Sequence, residues 1–257
     1  LWSAVGLSVA LAIGMDNFLR LCDGAALMDD HFRTAPLAKN MPVLLAMLGI
    51  WQRNFMGAAA QAVLPYSERL RELPRYLQQL EMESNGKSVT RDGTSADYAT
   101  APVIFGECGT VGQHSFHQWL HQGSDIIPAD FIGVAEDDSQ APDHHAALLA
   151  NMAAQAAALA FGRAAAELPQ DVYAGNRSSN ILTLAKLDPE HLGMLLALYE
   201  HKTFVQGVIW NINSFDQPGV ELGKKMAKAL ETQTAPQGRV ETFTAALFRN
   251  LEGFAGN

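Results

Sequence analysis

The feature that most restricts this chain is an alternation of short apolar runs with stretches of helical spacing. Residues 57–66 (GAAAQAVLPY), 102–107 (PVIFGE), 126–134 (IIPADFIGV) and 181–184 (ILTL) each read as a strand. Helical segments separate them. Such alternation predicts an α/β fold, specifically a three-layer α/β/α sandwich with a mainly parallel sheet, because parallel neighbours require crossovers that cover the faces of the sheet. With 257 residues, 48% of them apolar, the chain has enough length and enough apolar surface for a substantial core.

The helices follow from periodicity and stop signals. Residues 15–34 place Phe18, Leu19, Leu21, Cys22, Ala25, Ala26 and Met28 at helical spacing, interrupted only by Gly24. Asn40-Met41-Pro42 opens residues 43–56, whose apolar side chains run round most of the surface, so a buried helix is expected. In residues 73–82 the inward stripe is Leu73, Tyr76, Leu77 and Leu80, with Pro74 in the first turn and Asn85-Gly86 as the stop. Further helices are expected over residues 113–122, 147–166 and 191–199, and a last one over 240–254. Residues 231–238 read as a linker, which sets a domain of residues 1–231 apart from a helical tail, 232–257. Residues 1–14 are apolar, lack a basic flank and are too short to span a bilayer. They read as a buried helix entered in the middle of a longer protein. No internal repeat is present.

The net charge of -9 argues against a nucleic-acid partner, so an anionic substrate would need local cations. Two scattered cysteines, Cys22 and Cys108, give no disulfide framework and fit a reducing, cytoplasmic setting. No membrane partner is indicated.

Four stretches carry candidate chemistry. Glu83 ends the helix that begins at residue 73, where the helix dipole and any burial both disfavour its charge, which suits a general base. Gln79 shares its face, while Glu81 points elsewhere. The bland alternative is a surface Glu83 paired with Lys87. Gly106, Gly109 and Gly112 precede a helix but lack the dinucleotide-binding spacing, so no cofactor is expected. His114, His117 and His121 fall on one side of that helix and raise the question of zinc, but no nearby cysteine or carboxylate completes a ligand set. No metal is therefore assigned. Finally, residues 207–224 pass from an apolar run holding Asn211 and Asn213 to the helix-start signals Ser214, Asp216 and Pro218, and Lys224 projects from the second turn. Alone, that lysine reads more readily as a solvated side chain.

Three of these stretches resemble the glucose-6-phosphate isomerase (phosphoglucose isomerase) family. They are Met82-Glu83-Ser84-Asn85-Gly86-Lys87, Gly106-Glu107-Cys108-Gly109-Thr110-Val111-Gly112-Gln113-His114, and the phrase formed by Phe215, Asp216, Gln217, Gly219, Val220, Glu221 and Lys224. They stand in the family order, and Cys108 occupies a position where many relatives have proline. The resemblance implies a fold of the sugar isomerase type, covering only the C-terminal half or so of such an enzyme. It also implies reversible conversion of glucose 6-phosphate to fructose 6-phosphate. Glu83 would move the proton between C1 and C2 through an enediol, His114 with Lys224 would open the sugar ring, and Gln79 would contact substrate. In the family the phosphate-holding residues and a Gly-Gly-Arg-Tyr-Ser motif lie upstream of the phrase matched by Leu1-Trp2-Ser3-Ala4. Relatives work as homodimers in which the ring-opening histidine comes from the other subunit. A lone chain is therefore expected to be a poor catalyst. The other reading is a non-catalytic module that binds phosphosugars.

Overall fold

The computed structural model describes residues 2–136, 141–163, 168–232 and 238–255, with side chains as far as residue 251. It forms two compact units, Leu1–Phe215 and Asp216–Asn257.

The first unit is built on a four-stranded, all-parallel sheet: β1 (Ala60–Pro65), β2 (Val103–Gly106), β3 (Ala129–Val134) and β4 (Ser179–Leu184) in the spatial order β2-β1-β3-β4. β1 and β3 are central and almost wholly buried, as their apolar runs require. The edge strand β2 is only half-buried, with Val103 exposed, because it has one neighbour. Alternate residues face opposite layers. Val63, Ile104, Ile132 and Val134 pack on one face with α2 (Met15–Thr34), α3 (Met41–Ile50), α4 (Leu73–Leu77) and α8 (Pro189–Ile209). Ala62, Leu64, Ala129 and Phe131 pack on the other with Leu120 of α6 (His117–Gln122) and Met152, Ala156 and Leu159 of α7 (Pro142–Phe161). This is the expected three-layer sandwich.

Several helices differ from their sequence reading, each for a local reason. α1 (Leu7–Ile13) forms within residues 1–14, but it is not buried: Ala10 is covered and Val9 half-covered, while Leu7 and Leu11 face outward. α3 starts where Asn40 caps it by accepting from the Val43 amide at 3.3 Å. It then opens into a π-helical turn, Trp51–Phe55, and Met47, Trp51 and Phe55 are exposed, so the all-round apolar pattern marks a helix with one covered side. α4 also continues as a π-helical turn, Gln78–Glu83. Before α6, a single turn, α5 (Gly109–Gly112), is followed by a break, so the helix expected from residue 113 begins at His117. α7 starts at Pro142, which suits a first turn, and ends at Gly162, whose φ of 62° stops it short of residue 166; residues 164–166 lie outside the described residues. α8 runs on past Tyr199 through Ile209, so the apolar run from Gly207 is its last turn. Asn211 takes the left-handed conformation just beyond it (φ 48°) and donates to Asp92 at 2.8 Å, while Asn213 is exposed; neither is buried at a cost.

Gly24, which seemed to interrupt α2, is where α2 meets α8. A Cβ there would lie 1.9 Å from the Glu190 carbonyl oxygen, and one on Gly193 would lie 2.0 Å from that of Leu21. Gly24→Ala gains about 1 kcal/mol of helix propensity. Forcing two backbones apart costs up to about 3 kcal/mol. The clash wins, so the urea midpoint is expected to fall; an unchanged midpoint would contradict this packing.

The second unit comprises α9 (Glu221–Glu231), preceded by a short 3-10 turn at Pro218–Val220, and α10 (Arg239–Ala255). α9 therefore starts later than the Ser214 and Asp216 signals suggest. Among the described residues no helix is long and apolar enough to cross a membrane.

Candidate active site

Glu83 lies at the amino edge of the sheet. α4 leaves the carboxyl end of β1 and runs back along the sheet, and its π-turn delivers Glu83 beside the entry to β2. Local bonds fix that place. Ala101 donates its amide to the Asn85 carbonyl at 3.3 Å, and Thr100 Oγ1 donates to the Lys87 carbonyl at 2.9 Å. Lys87 Nζ bonds the carbonyls of Glu83 and Ser84 at 2.7 and 2.8 Å, satisfying acceptors that a helix end leaves open. Gln79 is exposed and Glu83 half-buried, whereas Glu81 is buried on the opposite side. Unit one ends here too: Ser214 Oγ bonds Asn85 Oδ1 at 2.5 Å, one residue before Phe215.

His114 stands at the other edge. The loop after β2 closes over the carboxyl end of β1, and its glycines allow that approach. A Cβ on Gly106 would lie 1.9 Å from the Val63 carbonyl oxygen, and one on Gly109 would lie 2.2 Å from the Tyr66 ring. His114 then sits exposed in the turn between α5 and α6. Its neighbours hold the turn: Gln113 Nε2 donates to Asn151 at 2.5 Å. The three histidines do not converge. His117 and His121 both contact Gln155 Oε1, at 3.4 and 2.8 Å, on a helix that begins after His114. Burial lowers the pKa of His117, which keeps it neutral. Among the described residues no group of three or more His, Cys, Asp or Glu could hold a metal ion. Cys108 is buried in the same loop; burial, then the Glu68 carboxylate, pushes its thiol up to about 12, so it is no nucleophile.

The two groups are thus at opposite edges. At about 3.3 Å per residue, the length of β1 separates those edges by roughly 17 Å. Two clefts accompany the edges. One of about 260 Å³ lies at the carboxyl ends of β1 and β3, beside Tyr66, Arg69, Val134 and His145. The other, of about 470 Å³, is lined by Trp51, Met56, Pro128 and Arg177. Neither is lined by Glu83, Gln79 or His114. Lys224 belongs to the second unit, on α9, exposed and paired with Glu221 at 2.9 Å.

Sequence reading missed a buried polar cluster anchored on the π-turn that carries Glu83. Lys202 Nζ contacts both oxygens of Glu81 at 2.7 Å, and both residues are almost wholly buried. Beside them Asp130 accepts from Gln61, Asn180 and Tyr199 at 2.9, 2.7 and 3.0 Å. Burial raises the pKa of Glu81 and the Lys202 ammonium pulls it back. The available signal was a lysine inside the apolar sequence of α8, lost by ending that helix at Tyr199.

A family model described as phosphoglucose isomerase matches residues 1–248. The chain is 52% identical to the glucose-6-phosphate isomerase of Dechloromonas aromatica, an alignment covering 98% of this chain and 51% of that protein. It is 56% identical to that of Cupriavidus metallidurans, covering 91% and 45%. The crystal structure of a glucose-6-phosphate isomerase from Chlamydia trachomatis superposes with a TM-score of 0.89 at 42% identity, covering 96% of this chain and 48% of that one. A hypothetical protein from Thermus thermophilus shares the fold, with a TM-score of 0.65 at 23% identity. The chain spans about half the length of the curated relatives it matches.

Proposed function

The chain belongs to the phosphoglucose isomerase family, and on that premise we propose that it supplies the proton-transfer and ring-opening groups of an aldose–ketose isomerase acting on glucose 6-phosphate and fructose 6-phosphate. The observation that carries the reading is Glu83 itself: a half-exposed carboxylate on a π-turn whose neighbours on either side, Glu81 and Asn85, are buried and bonded to α8. π-turns of this kind recur at functional sites.

In the proposed mechanism His114, with Lys224, moves a proton to the ring oxygen and takes one from the anomeric hydroxyl, giving the open aldehyde. Glu83 removes the proton from C2, and the electron pair forms the C1–C2 double bond of an enediol as O1 gains a proton. Glu83 then returns its proton to C1 while O2 gives one up, which leaves the ketose. Gln79, exposed on the same face, contacts the sugar. Developing charge at O1 needs a cation or donors nearby. Lys87 is engaged with main-chain carbonyls, so that charge is assigned to the half of the family protein outside this chain, together with phosphate binding.

The edge-to-edge separation supports a site shared between two copies. The ring oxygen and C1–C2 are adjacent atoms of one sugar, and a proton-transfer group must come within about 3 Å of its target. Groups at opposite edges of one sheet cannot both do so, whereas a two-fold pair can bring Glu83 of one copy to His114 of its partner.

The test is fructose 6-phosphate turnover by the 257-residue chain alone and by the same chain joined to the upstream half of the 52% identical relative. Turnover by the joined protein and not by the chain alone is expected. Turnover by the chain alone at the rate of the joined protein would contradict the need for the other half, and silence of both would remove the isomerase reading.

A further inference from the structure

We propose that Lys202 is a positioning residue for Glu83, acting through the buried carboxylate of Glu81; this rests on Glu83 being the base. Glu83 stands between two residues fixed to consecutive positions of α8. On one side Glu81, 1% exposed, takes two 2.7 Å contacts from Lys202 Nζ. On the other, Asn85, fully buried, donates to the Thr203 carbonyl at 2.9 Å. The start of the same helix is held by Tyr76, whose hydroxyl bonds Glu200 at 3.0 Å. Three successive stretches of one helix are thus tied to one short segment of α8, residues 200–203.

The need for such a tie lies in the π-turn. Its wider bonding inserts a residue into the helix, and the competing α-helical register would rotate each following side chain by about 100°. That slip would swing Glu81 out of the core and turn Glu83 away from the position it now holds. A buried Glu81 that meets Lys202 in only one register selects between them. Net stability does not explain the pair, since apolar residues of equal volume in such a place are often as stable. Lys202 lies 5.5 Å over the Tyr199 ring, and Tyr199 bonds Asp130, so the lysine is itself held.

The experiment is the double replacement Glu81→Met with Lys202→Met, which exchanges the pair for apolar side chains. In the joined protein kcat is expected to fall on the order of 10-fold or more with KM within about twofold, because misplacement of a base affects the chemical step. In the 257-residue chain itself, amide exchange over residues 82–86 is expected to quicken by about 10-fold while the thermal midpoint stays within about 5 °C. A purely structural pair would leave kcat per folded molecule untouched. Wild-type kcat in the double variant would overturn the proposal, whatever its amide exchange. Should that variant not fold, Lys202→Arg retains the charge but moves the carboxylate, and about a threefold loss of kcat at constant KM is expected; an unchanged kcat would overturn it as well. Glu83→Gln is the control. If it keeps full turnover, the base assignment fails and this inference with it; if it is dead while the double variant is fully active, only the positioning role fails.

Discussion

Replacing Glu83 by glutamine is expected to lower kcat for fructose 6-phosphate in the joined protein by about 10³-fold, with KM changed less than about threefold. Glutamine keeps the shape of the side chain and its capacity to bond a hydroxyl, but it cannot accept the proton from carbon. The fold should be unaffected, because the Glu83 side chain is half-exposed and the bonds to Lys87 at this position come from its main-chain carbonyl. Steady-state kinetics and a thermal melt check both halves of the expectation. A variant retaining more than about a tenth of wild-type kcat would exclude Glu83 as the base. Single replacement of Glu81, two residues away, should differ in kind, because it also strips a buried ion pair and so lowers stability as well as kcat.

That difference is clearest in the single substitution Lys202→Met. Removing one member of a buried ion pair leaves the other uncompensated, at a cost of about 3–5 kcal/mol. For a unit of this size the thermal midpoint should drop by roughly 10 °C. The loss should depend on pH in a definite direction. Without the ammonium, burial holds the folded-state pKa of Glu81 above its unfolded value, so the folded chain binds the extra proton and stability declines as pH rises through that interval. The variant should therefore be more stable near about pH 5 than near pH 8, relative to the parent protein. A midpoint within about 2 °C of the parent at both pH values would show that the pair is not buried and coupled as described.

The sheet was legible in the sequence because its strands are apolar runs too short for helices and bounded by turn residues. Ala60–Pro65 and Ala129–Val134 lie within the runs read as strands, and α2 has the expected limits. Helix burial was less legible. The apolar residues of α3 are half covered, and α1 is mostly bare; periodicity reports which residues could be buried, and only neighbours decide which are. Gly24 looked like a flaw in a pattern and is a close backbone contact that no local signal announces. The π-turns were invisible for a related reason: 3.6-residue spacing and the wider turn place Gln79 and Glu83 on one face alike, so the sequence cannot separate them. Lys202 was missed because a lysine within an apolar helix reads as a place to stop the helix. The site residues were found through wording, since Glu83, His114 and Lys224 lie in three distant segments whose spacing carries no mutual geometry.

In the proposed site the base and the ring-opening histidine come from different copies. Subunit complementation tests it directly. Joined proteins carrying Glu83→Gln and His114→Ala are prepared separately, each with its turnover abolished or strongly reduced, then unfolded, mixed in equal amounts and refolded. If each site takes Glu83 from one copy and His114 from its partner, half the dimers are mixed and each holds one site with both wild-type groups. Turnover should then return to about a quarter of the parent value. If both groups act within a single copy, every site in every dimer lacks one of them, and the mixture would show no more turnover than the two variants measured apart.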